Sequence, residues 1–170
     1  MELYEACEEG DIDEVRSLLQ THSPNQQNKR YGERTPLGIA AENGHTKVVR
    51  LLLKHGADHI PNAYGHTPLF AACVRNNTNI VRALVEYGAT MQPTHRGTTP
   101  LVAACENGNM EIVKILVENG ADVNAEPDQF GYNPIITAAR YHFDEIVRYL
   151  LRRGADPFAS TKVRWNMNHC

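Results

Sequence analysis

Residues 35–58 read TPLGIAAENGHTKVVRLLLKHGAD, and this stretch decides the fold. Its first half predicts a short helix, because Thr35 is suited to cap the helix N-terminus and Pro36 to occupy the first helical position. Gly44 is suited to the left-handed residue that ends this helix. A second amphipathic segment follows and ends at Gly56 in the same way. The stretch therefore predicts two helices of roughly two turns each, too short to be stable in water without neighbours.

The same pattern recurs along the chain at a period of about 33 residues. The Thr-Pro-Leu start and its variant Asn-Pro-Ile occur at Thr35, Thr67, Thr99 and Asn133. The Gly-Ala ending occurs at Gly56, Gly88, Gly120 and Gly154. Recurrence at a fixed period predicts a stack of similar units, in which each unit buries the apolar faces of its neighbours.

These units resemble ankyrin repeats in their period, in the TPL-x-x-AA signature and in the GAD that follows the second helix. The resemblance covers about residues 2–157. It implies an all-α fold, an ankyrin-repeat solenoid of stacked helix-turn-helix pairs with projecting hairpin fingers. It also implies a concave face, formed by the fingers and the first helices, on which a partner is held.

The resemblance also implies a division of the chain into repeats. We expect an N-terminal capping repeat at residues 1–22, whose exposed side is acidic, and four further repeats at residues 23–157. The expected helix pairs are at about 35–55, 67–87, 99–119 and 133–153. Residues 158–170 read FASTKVRWNMNHC, which begins like another finger without a helix pair after it. Two interpretations stay open for this segment: the start of a further repeat in a longer chain, or an irregular C-terminal tail that packs on the last repeat.

Composition argues against several classes of function. The chain carries 17 basic and 20 acidic residues, for a net charge of −3, so no strongly basic surface for nucleic acid is expected. The sequence has no apolar run of about 18 residues, so no membrane span is predicted, and the acidic N-terminus does not resemble a signal peptide. We therefore expect an intracellular protein without a membrane partner, in the cytoplasm or alternatively the nucleus, and a monomer.

Neither the cysteines nor the histidines form a recognisable site. Cys7, Cys73 and Cys105 align with Ala41, and stacked helices lie about 8–10 Å apart, which is too far for a disulfide. Each is therefore expected to be a small buried residue. No His or Cys pair has the spacing of a zinc motif, and no Gly-rich phosphate loop or nucleophile–base set is present. We expect no metal, no cofactor and no catalytic residue in this chain.

Large and charged side chains gather where the repeat phase places residues on the concave face. Tyr and Arg dominate binding hot spots, although packing between fingers is the alternative for each aromatic. Because Arg binds carboxylates through two parallel hydrogen bonds, we expect a partner segment that carries a carboxylate, or acidic and apolar residues together. The residues expected to bind the partner are Tyr64, His66, Val74, Arg75, His95, Arg96, Glu106, Asn107, Phe130, Tyr132, Arg140 and Tyr141.

The resemblance implies a protein–protein interaction module, an adaptor or scaffold that holds a peptide or protein on its concave face. The alternative is the targeting or regulatory ankyrin domain of a larger enzyme, channel or ubiquitin-ligase subunit. Leu116 with Asp122-Val123-Asn124 also resembles the pattern around ankyrin asparagines that an intracellular oxygenase hydroxylates. That resemblance implies Asn124 as a modification site; the alternative is an ordinary Asn at the base of a finger.

Overall fold

The computed structural model describes residues 2–27 and 32–158, and within these ranges the chain forms ten helices and no strand. The all-α prediction is confirmed. The helices form five consecutive pairs, which we number repeats 1 to 5. They are α1 (Leu3–Glu9), α2 (Ile12–Leu18), α3 (Pro36–Glu42), α4 (Thr46–Lys54), α5 (Pro68–Val74), α6 (Thr78–Glu86), α7 (Pro100–Glu106), α8 (Met110–Glu118), α9 (Pro134–Arg140) and α10 (Asp144–Arg152).

The first helices of repeats 2 to 5 begin at the residues that the sequence indicates. The Thr35 hydroxyl accepts a hydrogen bond from the Gly38 amide at 3.1 Å, and Asn133 Oδ1 accepts one from Ile136 at 2.9 Å. Each of these four helices has proline in its first turn. A cap of this kind stabilises a helix by about 1 kcal/mol, which is substantial for a helix of seven residues.

Consecutive repeats pack through small residues on the first helices. Cys7, Ala41, Cys73 and Cys105 occupy equivalent positions and all have 0% exposed surface. The three cysteines are free thiols, as predicted, and burial raises the pKa of Cys7 and of Cys105 to about 12. They are therefore neutral at pH 7 and serve as apolar packing groups.

The stack is closed at one end and open at the other. At the equivalent position in repeat 5, Ala139 is exposed. Leu151 is 40% exposed, whereas its counterpart Leu53 in repeat 2 is only 4% exposed. Among the described residues, no further helix pair covers α9 and α10. Apart from Phe158, the predicted tail at 158–170 lies outside the described residues.

The fingers between repeats are short hairpins joined to one another by backbone hydrogen bonds. The second finger closes between Asn62 and His66, where the Asn62 amide donates to the His66 carbonyl at 3.0 Å. The His95 amide donates to the Tyr64 carbonyl at 3.2 Å, and the Gln129 amide donates to the Arg96 carbonyl at 3.0 Å. These bonds align the finger tips along one edge of the stack.

No helix within residues 2–27 and 32–158 has both the length and the apolar character needed to cross a bilayer.

The loop after each first helix contains a left-handed residue. It is Gly44 in repeat 2 (φ +83°) and Gly108 in repeat 4 (φ +69°), as the sequence predicts. Asn76 (φ +57°) and His142 (φ +59°) occupy the same position in repeats 3 and 5. A side chain with a Cβ is strained in this conformation, and Asn tolerates it better than His.

Replacing His142 with Gly should therefore stabilise the protein. Relief of the left-handed strain outweighs the extra chain entropy of Gly, for a net gain of about 0.5–1 kcal/mol in the free energy of unfolding. Asn76→Gly is the matched control and should gain less. Urea denaturation of the three proteins measures the difference. Equal or lower stability of His142→Gly would show that the loop is not strained.

Candidate functional site

A groove of about 360 Å³ lies between the second finger and helices α3 and α5. We call it the finger-2 groove. It lies on the side of the stack that the fingers and the first helices form. The groove is lined by side chains of three kinds: a charged set, an aromatic row and an apolar wall. The charged set is Arg34, Glu42 and Arg75, the aromatic row is Tyr64, His66 and Phe70, and the apolar wall is Ala71 and Val74.

The cap of α5 positions the groove residues that this helix contributes. The Thr67 hydroxyl accepts a hydrogen bond from the Phe70 amide at 3.1 Å, which fixes the first turn of the helix. Phe70 and Val74 are four residues apart and therefore share one helix face. Phe70 is buried at 8% exposure, whereas Val74 is 47% exposed. Across the groove Gly38 has no side chain, which leaves room above α3.

Glu42 lies between two arginines. Its carboxylate is 3.5 Å from the Arg34 guanidinium and 3.5 Å from that of Arg75. Both distances are longer than a well-formed charged hydrogen bond, so these ion pairs are loose. Two cations against one anion leave the groove with an excess of positive charge. The Arg75 side chain is 57% exposed and is accessible to a ligand.

An aromatic row runs from the finger into the groove. The ring centroids of Tyr64 and His66 are 5.9 Å apart, and those of His66 and Phe70 are 4.8 Å apart. The finger turn holds the row in place, because Asn62 Oδ1 accepts hydrogen bonds from the amides of Tyr64 and His66 at 2.9 and 3.1 Å. Tyr64 at the outer end is 62% exposed, so the row offers an aromatic surface at the groove mouth.

The pKa of His66 is lowered from its ordinary value of 6.5. His66 is exposed overall, but its ring packs on Phe70, and this partial burial is the main cause. The Glu42 carboxylate opposes the shift, while the cations of Arg34 and Arg96 and the nearby His95 add to it. His66 is therefore predominantly neutral at pH 7, and the positive charge of the groove comes from its arginines.

The residue directly after each first helix has a structural role in some repeats and is available for binding in others. The Asn107 side-chain amide donates to the carbonyls of Cys73 and Val74 at 2.9 and 3.2 Å, at the C-terminal end of α5. Asn43 in repeat 2 donates in the same way to the Glu8 carbonyl of α1, at 3.4 Å. These bonds satisfy carbonyls that have no partner within their own helix. The Asn107 amide therefore links neighbouring repeats, and its predicted contact with a partner stays a prediction.

Repeats 3 and 5 carry Arg75 and Tyr141 at this same position. Arg75 faces Glu42 in the groove, and the Tyr141 hydroxyl donates to the Glu106 carboxylate at 3.1 Å. Neither side chain caps a neighbouring helix in the structure. The side chains of Arg75 and Tyr141 are therefore available for contacts other than a link between neighbouring repeats.

Of the remaining predicted residues, Tyr132 and Arg140 form a second cluster, between the fourth finger and α9. The Arg140 guanidinium lies over the Tyr132 ring at 5.3 Å from its centroid, a cation–π contact. Phe130 is 59% exposed at the tip of the fourth finger. His95 and Arg96 are exposed at the tip of the third finger, and lie between the finger-2 groove and this cluster.

Sequence reasoning left Arg34 out of the predicted site. Arg34 precedes Thr35 in the position that His66 occupies in repeat 3 and Tyr132 in repeat 5. Both of those residues were predicted to bind, so the same phase argument includes Arg34. Glu42 also lines the groove, but its position between two arginines depends on the packing of repeats 2 and 3 and has no signal in the sequence.

Asn124 stabilises the base of the fourth finger. Its Oδ1 accepts a hydrogen bond from the Asp156 amide at 2.8 Å, and its Nδ2 donates to the Gly154 carbonyl at 2.9 Å. Asn25 accepts from the Asp58 amide in the same way, at 2.8 Å. Hydroxylation of Asn124 stays a prediction. Within the described ranges, no three His, Cys, Asp or Glu residues are grouped so that they could hold a metal ion.

One comparison with known protein families bears on this architecture. The family model described as ankyrin repeats (3 copies) matches residues 3–95 and again residues 90–161. The two matches together span all ten helices.

Removing the Asn107 amide should destabilise the stack. Asn107→Ala removes the side-chain donor to the Cys73 and Val74 carbonyls, and should lower the free energy of unfolding by about 1 kcal/mol. The Cys73 carbonyl keeps its hydrogen bond from the Asn76 amide at 3.0 Å, so the loss is that of a link between repeats and not of a carbonyl's only donor. Arg75→Ala at the equivalent position removes only a loose, exposed ion pair and should change it by less than about 0.5 kcal/mol. Urea denaturation measures both. Equal effects would contradict the division of roles at this position.

The titration of His66 tests the electrostatics of the groove. Its midpoint, followed by NMR through the imidazole carbon-bound protons, should lie below 6.5. Because the folded state favours the neutral ring, the fold should lose stability as the pH falls below 6.5. Glu42→Gln should lower the midpoint further, since the Glu42 carboxylate favours the imidazolium. A midpoint above 6.5 in the wild-type chain would rule out this arrangement.

Proposed function

The chain belongs to the ankyrin repeat family, whose repeats generally serve as protein–protein interaction modules, and we propose that it acts as an adaptor or scaffold. It holds a protein or peptide partner on the concave face formed by the fingers and the first helices. The finger-2 groove is the main contact site. The observation that supports this site most strongly is the combination of exposed Tyr64 and Val74 with the two arginines that surround Glu42.

The exposed apolar side chains at the groove mouth are the first support. Tyr64 is 62% and Val74 is 47% exposed, although the stack has buried positions for apolar residues in every repeat. The exposed parts of these two side chains contribute no buried surface to the fold. A partner that covers them would gain roughly 25 cal/mol for each Å² of apolar surface removed from water.

The charge of the groove is the second support, and it indicates the chemistry of the partner. The Arg75 guanidinium is 3.5 Å from the Glu42 carboxylate, which is long for a charged hydrogen bond, and most of its five N–H donors are unused. A carboxylate from a partner would bind Arg75 and Arg34 more closely than Glu42 does. The partner segment is therefore expected to place an Asp, a Glu or a C-terminal carboxylate next to an apolar residue that packs on Tyr64 and Val74.

The proposal can be tested by selecting a random peptide-display library against the immobilised wild-type chain. Enriched peptides should share a carboxylate next to an apolar residue. Arg75→Glu should weaken their binding by about 2 kcal/mol or more, because it places like charges together. Arg82→Glu is the matched control: Arg82 is a comparably exposed arginine of α6 that pairs with Glu111, away from the groove. Binding measured by calorimetry should not change in this variant.

Two results would contradict the proposal. One is an enriched set of peptides without carboxylates. The other is equal loss of binding in Arg75→Glu and Arg82→Glu, which would indicate a response to net charge and not to the groove. Tyr132→Ala and Arg140→Glu then show whether the bound segment continues to the second cluster. If both bind the selected peptides normally, contact is confined to the finger-2 groove and the adjacent fingers.

A further inference from the structure

Repeat 5 exposes apolar side chains at positions that are more buried in the other repeats. Ala139 is exposed, whereas the equivalent Ala41, Cys73 and Cys105 have no exposed surface. Leu151 is 40% exposed. We call the surface formed by Ala139, Val147 and Leu151 the end face. At the other end, α1 and α2 close the stack with an acidic, solvated outer side.

The chain leaves α10 through a turn like the one that begins the fourth finger. The Phe158 amide donates to Asp156 Oδ1 at 2.8 Å, as the Asn124 amide donates to Asp122 Oδ1 at the start of the fourth finger. Asn124 also anchors this exit, through its bonds to Gly154 and Asp156. In repeat 4, the finger that starts with this turn leads the chain to repeat 5. A chain that followed the same course after repeat 5 would lie over the end face.

The sequence that follows is suited to cover an apolar surface. In residues 159–170, Val163, Trp165 and Met167 alternate with Arg164 and Asn166. Alternation with a period of two places the three apolar side chains on one side of an extended chain. At roughly 3.3 Å per extended residue, the segment is long enough to cross both α9 and α10, whose axes would lie about 8–10 Å apart.

We propose that residues 159–170 cap the stack by laying Val163, Trp165 and Met167 across the end face. The occupant is a segment of the same chain, since it is tethered at Phe158 beside the surface and has the matching apolar pattern. Tethering makes its effective concentration at the end face high compared with that of a separate molecule. Arg164 and Asn166, on the opposite side of the extended segment, would face water.

Trp165 is the only tryptophan of the chain and reports its own environment. Acrylamide quenching of its fluorescence should be severalfold weaker in the native protein than in urea. Leu151→Glu should restore quenching to the unfolded level, because it places a charge on the end face. Tyr87→Ser is the matched control: Tyr87 is 44% exposed, at the end of α6 and far from the end face, so quenching should stay weak.

Hydrogen exchange provides a second measurement that does not depend on the fold of Leu151→Glu. Trp165→Ser in the full chain should raise the equilibrium constant for local opening of α9 and α10 by roughly tenfold or more, from the loss of buried aromatic surface. Exchange in α3 to α6 should not change. Sedimentation at several protein concentrations identifies the occupant as the same molecule if Trp165 stays protected while the mass is that of a monomer.

Three results would overturn the proposal. Equal quenching in the native and unfolded states would show that Trp165 is not covered. Protection that Leu151→Glu leaves intact, together with unchanged exchange in Trp165→Ser, would place Trp165 elsewhere. Protection that is lost on dilution, with a dimer present at high concentration, would show that a second copy covers the end face instead.

Discussion

The packing of each helix pair against the next is the constraint on which the rest of the structure depends. A seven-residue helix beside a nine-residue helix cannot bury its own apolar face, so stability comes from the neighbouring repeats. Close approach requires small residues at the contact, and Cys7, Ala41, Cys73 and Cys105 provide it with no exposed surface. The same constraint makes the ends of the stack special, because an end repeat has a neighbour on one side only.

This constraint also determines which residues are free to bind. Asn43 and Asn107 link neighbouring repeats through hydrogen bonds to the ends of the preceding first helices. Arg75 and Tyr141 occupy the same position without that link, and their side chains contact Glu42 and Glu106 instead. The surface available for binding therefore differs between repeats, because some repeats lack the side-chain hydrogen bond that links their neighbours.

Much of the fold could be predicted from the sequence, because its signals are local and recur. The caps at Thr35 and Asn133 and the left-handed residues at Gly44 and His142 are found where the repeat phase places them. The site could be predicted only in part. The phase predicts which residues lie on the side of the fingers and the first helices, but the loose pairing of Glu42 with two arginines depends on side-chain geometry between repeats, which has no pattern in the sequence.

We propose above all that the finger-2 groove binds a partner carboxylate through its arginines. The most direct test is a charge exchange between Arg75→Glu and a bound peptide whose carboxylate residue is replaced by Lys. If Arg75 and the carboxylate are in contact, each change alone should weaken binding and the two together should restore much of it, with a coupling energy of at least about 1 kcal/mol. Additive losses, with no recovery in the double exchange, would show that this carboxylate does not bind at Arg75.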